Sequence, residues 1–173
     1  MSSGSCCCVD ARWMRVATDR VSVVGTSRFV TVALHGGRSA ALSAASGFIA
    51  GMTAHGITCL LAEEHFHTLE SAGQVKALTP ETERLSELVV VFGGDGSILR
   101  AAEWALPLDL PVLGVNLGHV GFLAELESHE AGSLISHVVE RNYTVEERMT
   151  IDTVITDRDG AEQGTISMSS LLN

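Results

Sequence analysis

The apolar positions of this chain change their period several times, and each change marks an element. Phe29-Val30-Thr31-Val32-Ala33-Leu34 is short, apolar and rich in β-branched residues, which predicts a buried strand. His35-Gly36-Gly37 turns it into a segment where Leu42, Ala45, Phe48, Ile49 and Met52 recur on one helical face, with Gly56 as the stop. Gly47 and Gly51 lower the helix propensity of that segment and are expected to mark close packing against a sheet. Ile57-Thr58-Cys59-Leu60-Leu61 gives a second strand, and the order strand, helix, strand predicts a parallel pair with a right-handed crossover.

Residues 62–87 read as polar and irregular, with Thr79 capping a short helix that Pro80 opens over residues 81–86. Val89-Val90-Val91-Phe92 is the most apolar run and the predicted central strand. It breaks at Gly93-Gly94-Asp95-Gly96 into a helix whose buried face is Ile98, Leu99, Ala102, Ala105 and Leu106, ended by Pro107. Pro111-Val112-Leu113-Gly114-Val115 is the next strand. A helix capped by Ser128 follows, with Leu134, Ile135, Val138 and Val139 inward and Asn142 in the left-handed cap position. From Tyr143 the period drops to two: Met149, Ile151, Thr153 and Ile155 alternate with polar or smaller neighbours. Asp157-Arg158-Asp159-Gly160 is a turn before an extended stretch over residues 164–168.

The expected fold class is α/β, an open mostly parallel sheet with flanking helices, followed by the first strands of a truncated all-β domain. The expected organisation is a flexible leader over residues 1–27, in which Met14 is an alternative start, an α/β nucleotide-binding domain over 28–142, and the start of a β-rich region over 143–173. The β-rich part has too few strands to cover an apolar face, so the chain reads as the front portion of a longer protein.

Composition narrows the class. At 173 residues and 46% hydrophobic content the chain can bury a core, and a formal net charge of -10 argues against a general nucleic-acid binder. Apolar runs of membrane-spanning length are missing, as is a basic segment followed by an apolar one near the start, so a cytoplasmic protein with no membrane partner is expected. Cys6, Cys7, Cys8 and Cys59 form no disulfide framework and fit a reducing compartment; a metal or lipid site at Cys6 to Cys8 is the alternative. His65 and His67 beside Cys59 are read either as metal ligands or as part of a solvated loop. Lys76 is the only lysine and follows no Walker A spacing, and no G-x-G-x-x-G follows an apolar run, which sets aside the P-loop and the usual dinucleotide fingerprint.

The chemistry concentrates at Gly93-Gly94-Asp95-Gly96-Ser97. Glycines allow close backbone approach to a ligand, and the first turn of the following helix offers N–H groups to an anion. Asp95 repels phosphate, so it fits a phosphoryl transferase that needs a proton acceptor better than a site that only holds a nucleotide. A plain tight turn without ligand is the other reading. Arg100 lies off the buried face of the helix and can face a site. Asn116-Leu117-Gly118-His119-Val120-Gly121-Phe122-Leu123 is a second glycine-broken loop at a strand's carboxyl end, where ligands of open α/β sheets collect, so the two loops are expected to line one crevice.

Together, Val91-Phe92-Gly93-Gly94-Asp95-Gly96-Ser97-Ile98-Leu99-Arg100-Ala101-Ala102 and Val112-Leu113-Gly114-Val115 running into that second loop closely resemble the amino-terminal domain of NAD kinases. A GGDG turn also occurs in sugar-phosphate and lipid kinases; the second loop is the NAD kinase form. The resemblance runs from about Phe29 to the last residue and implies transfer of phosphate from ATP to the 2′-hydroxyl of the adenosine ribose of NAD. It implies that Asp95 accepts the hydroxyl proton and, with Gly96, touches NAD. Gly93, Gly94 and Ser97 would line the triphosphate side, Arg100 would lie near the nucleotide, and Asn116 and Phe122 would shape the NAD pocket. Leu172-Asn173 matches the start of an Asn-Glu motif whose Asn contacts NAD, and Ser97 replaces the more usual threonine. A divalent cation, magnesium above all, is expected to offset the triphosphate charge, and the full-length protein is expected to form a homo-oligomer. Another GGDG-type kinase, or a non-catalytic nucleotide-binding fragment, is the alternative function.

Overall fold

The computed structural model describes residues 9–16, 27–34, 39–116, 126–127, 131–156 and 162–168. The chain divides into two compact units, one of Arg15–Glu146 and one of Met1–Met14 with Glu147–Asn173. The strands are β1 (Val9–Val16), β2 (Phe29–Leu34), β3 (Thr58–Leu61), β4 (Val75–Ala77), β5 (Ser86–Gly93), β6 (Val112–Asn116), β7 (Leu126–Glu127), β8 (Glu146–Thr156) and β9 (Glu162–Met168). The helices are α1 (Ser39–Ala54), α2 (Glu63–Leu69), α3 (Asp95–Ala105) and α4 (Ala131–Glu140).

The larger unit is built on a parallel sheet in the order β4-β3-β2-β5-β6, with β7 added parallel to the end of β6. Alternate residues of each central strand feed different cores. Val90, Phe92, Leu113 and Val115 join Val30 and Val32 under Phe48, Ile49 and Met52 of α1 and Leu134 and Val138 of α4. Val89, Val91 and Val112 point the other way and pack under Ile98, Ala101 and Ala105 of α3. A strand covered on both faces must be apolar throughout, which explains why residues 88–92 lack alternation and are all buried. Buried on α3 are Ile98, Ala101, Ala102 and Ala105, while Leu99 and Leu106 are half-buried.

Helix ends follow from backbone chemistry. At the end of α1, Gly56 stands at φ 72°, with Ile57 N–H donating to the Met52 carbonyl and Gly56 N–H to that of Thr53. This is a Schellman stop, in which glycine bears the left-handed conformation at least cost. The same motif ends α4: Asn142 N–H donates to His137 and Arg141 N–H to Val138. Here the left-handed residue is Arg141 at φ 52°, not Asn142 as the sequence predicts. The cause lies outside the helix. The guanidinium of Arg141 pairs with Glu87, whose carboxylate also holds Arg28, and Arg28 donates to the Val138 and Val139 carbonyls. This cluster ties the amino ends of β2 and β5 to the last turn of α4.

Three further expectations are corrected. Residues 62–87 are ordered elements: α2, a 3-10 turn at Glu70–Ala72, edge strand β4 and a 3-10 turn at Glu83–Leu85 in place of the expected helix over 81–86. Val9–Val16, inside the expected flexible leader, is a strand. The glycines of α1 do not meet the sheet. A Cβ on Gly51 would lie 2.5 Å from Ile135 Cδ1 of α4, and one on Gly47 would meet nothing within 4 Å. The expected turn at Asp157 to Gly160, the loop at His35 to Gly37 and the Ser128 cap lie outside the described residues. In the smaller unit, β8 and β9 pair antiparallel from Ile151 opposite Met168 to Thr156 opposite Glu162.

Gly47 and Gly51 therefore make opposite predictions. Gly47→Ala should raise stability by about 0.5–1 kcal/mol through helix propensity. Gly51→Ala forces the Ile135 side chain out of its place against α1 and should lower stability by about 1 kcal/mol. Urea unfolding of the two variants checks both signs.

Candidate functional site

The strand order reverses between β2 and β5. From β2 the chain steps outward to β3 and β4; from β5 it steps the other way to β6, and the helices α1 and α3 leave toward opposite faces. In such a sheet the crevice at the carboxyl ends of the two strands, where their connections part, is where ligands bind. The Gly93-Gly94-Asp95-Gly96-Ser97 turn sits on that edge. Gly93 is the last residue of β5 and is buried; Gly94 is the residue before α3, and Asp95 is its first residue.

Gly94 has φ -98° and ψ -176°, whereas Gly56 is the described glycine in the left-handed region. Gly94 is therefore not needed for a left-handed turn, which corrects the reading of this loop as a sharp glycine turn. A Cβ at Gly94 or Gly96 would meet no protein atom within 4 Å. What glycine preserves here is open space in front of the backbone. No side chain caps α3, and the Gly94 carbonyl accepts the N–H groups of Ser97 and Ile98 at 2.9 and 3.2 Å. Asp95 and Gly96 form the first turn of the helix, at the positive end of its dipole.

Asn116 ends β6 and pairs in register with Gly93, so the carboxyl ends of β5 and β6 lie side by side; the rest of the second loop lies outside the described residues. The structure thus brings Gly93, Gly94, Asp95, Gly96, Ser97 and Asn116 to one edge. Asp95 and Asn116 are half-exposed. Arg100 follows Ser97 along α3 and is exposed. Phe122 and Asn173 lie outside the described residues.

A cavity of about 300 Å³ opens beside α3 on the β2 side of the loop. Ser97, Arg100 and Trp104 line it from α3, Thr31 and Ala33 from β2, and His65 from α2. Sequence reasoning found Ser97 and Arg100 and missed the rest. One signal was present: Ser97, Arg100, Ala101 and Trp104 have the spacing of a single helical face. The contributions of β2 and α2 carry no such signal.

Two other expectations resolve away from the site. The Cys59 thiol is buried in β3, and burial pushes its pKa up to about 12, which leaves it inert as a nucleophile or ligand near neutral pH. Among the described residues no group of three His, Cys, Asp or Glu side chains could hold a metal ion, and His65 instead lies 3.3 Å from the Glu64 carboxylate. Lys76 stacks over the Phe29 ring at 5.3 Å.

The comparison with known proteins agrees with this architecture. The family model for the ATP-NAD kinase N-terminal domain matches residues 48–143, more than half of the chain. The chain belongs to the NAD kinase family. It is 44% identical over 142 residues to the NAD kinase of Cutibacterium acnes, covering 81% of this chain and 45% of the relative. The NAD kinase of Thermobifida fusca is 42% identical over 148 residues, with 80% and 45% covered. This chain thus spans about half the length of these relatives. A crystal structure of yeast NADH kinase complexed with NADH shares the fold at a TM-score of 0.59 and 15% identity, covering 86% of this chain and 52% of that one.

Because Gly94 has a backbone conformation open to any residue and no neighbour in the way, Gly94→Ala should leave the melting temperature within about 2 °C of the parent, since its stability change should stay within the range of neutral surface substitutions. Its methyl would occupy the open space before the backbone, where the sequence leads one to expect phosphate, so binding of ATP is expected to weaken by about tenfold or more. Calorimetric titration and a thermal melt on the same sample check the two halves.

Proposed function

We propose that this chain is the nucleotide-binding half of an enzyme that transfers the terminal phosphoryl group of ATP to the 2′-hydroxyl of the adenosine ribose of NAD, giving NADP and ADP. The observation that carries the reading is the placement of Asp95 at the first position of α3, beside Gly94 and one strand from Asn116, at the reversal of the strand order. In this reading the phosphates face the amides and open space at Gly93 to Ser97, and the ribose hydroxyl is presented to the Asp95 carboxylate. As the new bond from oxygen to phosphorus forms, the bond to the bridging oxygen of ADP breaks and the hydroxyl proton passes to Asp95. A ribose hydroxyl is a very weak acid, so orientation of the oxygen contributes more than its ionisation.

Asp95, Gly96, Asn116, Phe122 and Asn173 are the residues assigned to NAD, Gly93, Gly94 and Ser97 those assigned to the triphosphate side, and Arg100 is assigned a place near the bound nucleotide. A divalent cation, magnesium above all, is assigned to offset the triphosphate charge. Residues 28–142 are assigned to the α/β domain and residues 143–173 to the start of a β-rich NAD-binding domain. Among the described residues no helix is long and apolar enough to cross a membrane. The proposal includes a cytoplasmic enzyme, homo-oligomeric at full length, with small nucleotides as partners and no nucleic acid or membrane.

The test is NADP formation from ATP and NAD, measured on the chain alone and on the chain joined in frame to the second half of the Cutibacterium acnes relative. In the joined protein, Asp95→Asn should reduce turnover by about two orders of magnitude or more while ATP binding holds or improves, because a negative charge beside the phosphates is gone. Unchanged turnover in that variant would remove Asp95 from the proton-transfer role.

A further inference from the structure

The two central strands are joined at their amino ends through a side-chain hydroxyl. From Phe29 opposite Ser86 to Thr31 opposite Val89, β2 advances two residues and β5 three, so Glu87 and Leu88 form a bulge opposite Val30. We propose that Ser86 is a positioning residue for the candidate site: its hydroxyl holds this bulge, the bulge fixes the register of β5 against β2, and that register sets where the glycine turn and Asp95 stand at the far end of the strand. This rests on the reading of Gly93 to Ser97 as the phosphate loop, and it adds a residue that touches neither the loop nor a ligand.

The hydrogen bonds come first. In a regular parallel ladder the Thr31 N–H donates to a carbonyl of the neighbouring strand. Here it donates to Ser86 Oγ at 3.1 Å, and the Thr31 hydroxyl donates to the same oxygen at 3.0 Å. Ser86 in turn donates to the Leu88 carbonyl at 3.0 Å, across the bulge. One oxygen thus accepts two hydrogen bonds and donates a third, and it replaces the pairing that the bulge takes out of the ladder. Thr31 and Ser86 are both buried, beside Val30, Leu88 and Val89. Without the hydroxyl, the Thr31 N–H and the Leu88 carbonyl would lose this partner in an apolar layer, which penalises the bulged register specifically.

Nothing in the apolar pattern of β5 does the same job. Leu88, Val90 and Phe92 join the core under α1, and Val89 and Val91 the core under α3. A strand that is apolar on both faces fills either core in either register, so alternation does not choose between registers as it does in a strand with one wet face. A slip of one residue that erased the bulge would set Leu88 opposite Thr31 and exchange the two faces. It would also carry Gly93 about 3.3 Å further past the end of β2. In the register observed, Leu34 stands opposite Phe92 and Gly93 opposite Asn116. Asp95 opens α3 just beyond, and a carboxylate that acts by orienting a hydroxyl loses most of its effect when displaced by about 1 Å.

The experiment compares Ser86→Thr with Ser86→Val in the isotopically labelled 173-residue chain. The two substitutions have the same shape and differ in the hydroxyl, so the pair separates the hydrogen bonds from the added methyl. Amide spectra are recorded below the melting transition, and magnesium–ATP is titrated into each sample. Ser86→Thr should keep the signals of Gly93 to Ser97 in place and bind magnesium–ATP as the parent does. Ser86→Val should move or double those signals and weaken magnesium–ATP binding by about tenfold or more. Ser86→Ala removes the hydroxyl without adding bulk, should act in the same direction, and serves if Ser86→Val does not fold. A role in stability alone gives a different result: Ser86→Val melts at a lower temperature while the turn signals of the folded chain stay where they were. That result would overturn the proposal, as would equal displacement of the turn in Ser86→Thr and Ser86→Val, or a displaced turn that binds magnesium–ATP unchanged. A turn displaced in Ser86→Val but untouched by magnesium–ATP in the parent would uphold the register role and overturn the phosphate-loop reading instead.

Discussion

Right-handed crossovers leave little freedom in where the helices of a parallel sheet go, and here that constraint makes the site. The step from β2 to β3 sends α1 to one face, and the opposite step from β5 to β6 sends α3 to the other. The chain must therefore part above the junction of β2 and β5. The glycine turn lies on that parting line: Gly93 ends β5, Gly94 keeps the backbone bare, and Asp95 opens the helix. The opposite end of the same two strands is pinned by the Arg28–Glu87–Arg141 cluster. The two strands stay paired from this clamp to Leu34 opposite Phe92, and the crevice comes from the helices that leave them toward opposite faces.

Much of the sheet is legible in the sequence because burial on two faces demands uninterrupted apolar residues, as at residues 88–92, and because β2 and β6 are set off by glycine and proline. Gly56 is legible as a helix stop for an equally local reason: glycine tolerates the φ of 72° that the Schellman motif requires. Arg141 takes the same conformation at the end of α4, and nothing nearby in sequence announces it. Its partner Glu87 is 54 positions away, and a contact between distant residues overrides a preference that Asn142 would satisfy locally. The elements missed between residues 62 and 87 fail for another reason. Among the residues of α2 only Leu69 is buried, and β4 is a three-residue edge with Lys76 and Ala77 exposed, so neither leaves a periodic apolar signature.

The site divides in the same way. The glycine turn and Asp95 are contiguous in sequence and announce themselves, and Asn116 is found because it ends the next strand. The cavity is assembled from residues as far apart as Thr31, His65 and Trp104, and only its α3 wall has a spacing that a sequence can show. The glycines mislead in detail even where they point to the right place: Gly94 serves by lacking a side chain and not by its backbone angles, a distinction that φ values reveal and composition does not.

The central claim is that phosphate binds at the parting of β2 and β5, against the first amides of α3. The direct measurement is a titration of the isotopically labelled chain with magnesium–ATP, followed by amide chemical shifts. The account predicts that the largest changes fall on Gly93 to Ser97, with Asn116 next, and that residues at the pinned end near Arg28 and Glu87 stay still. Shifts centred on α4 or on the β4 edge, with the glycine turn unmoved, would contradict it.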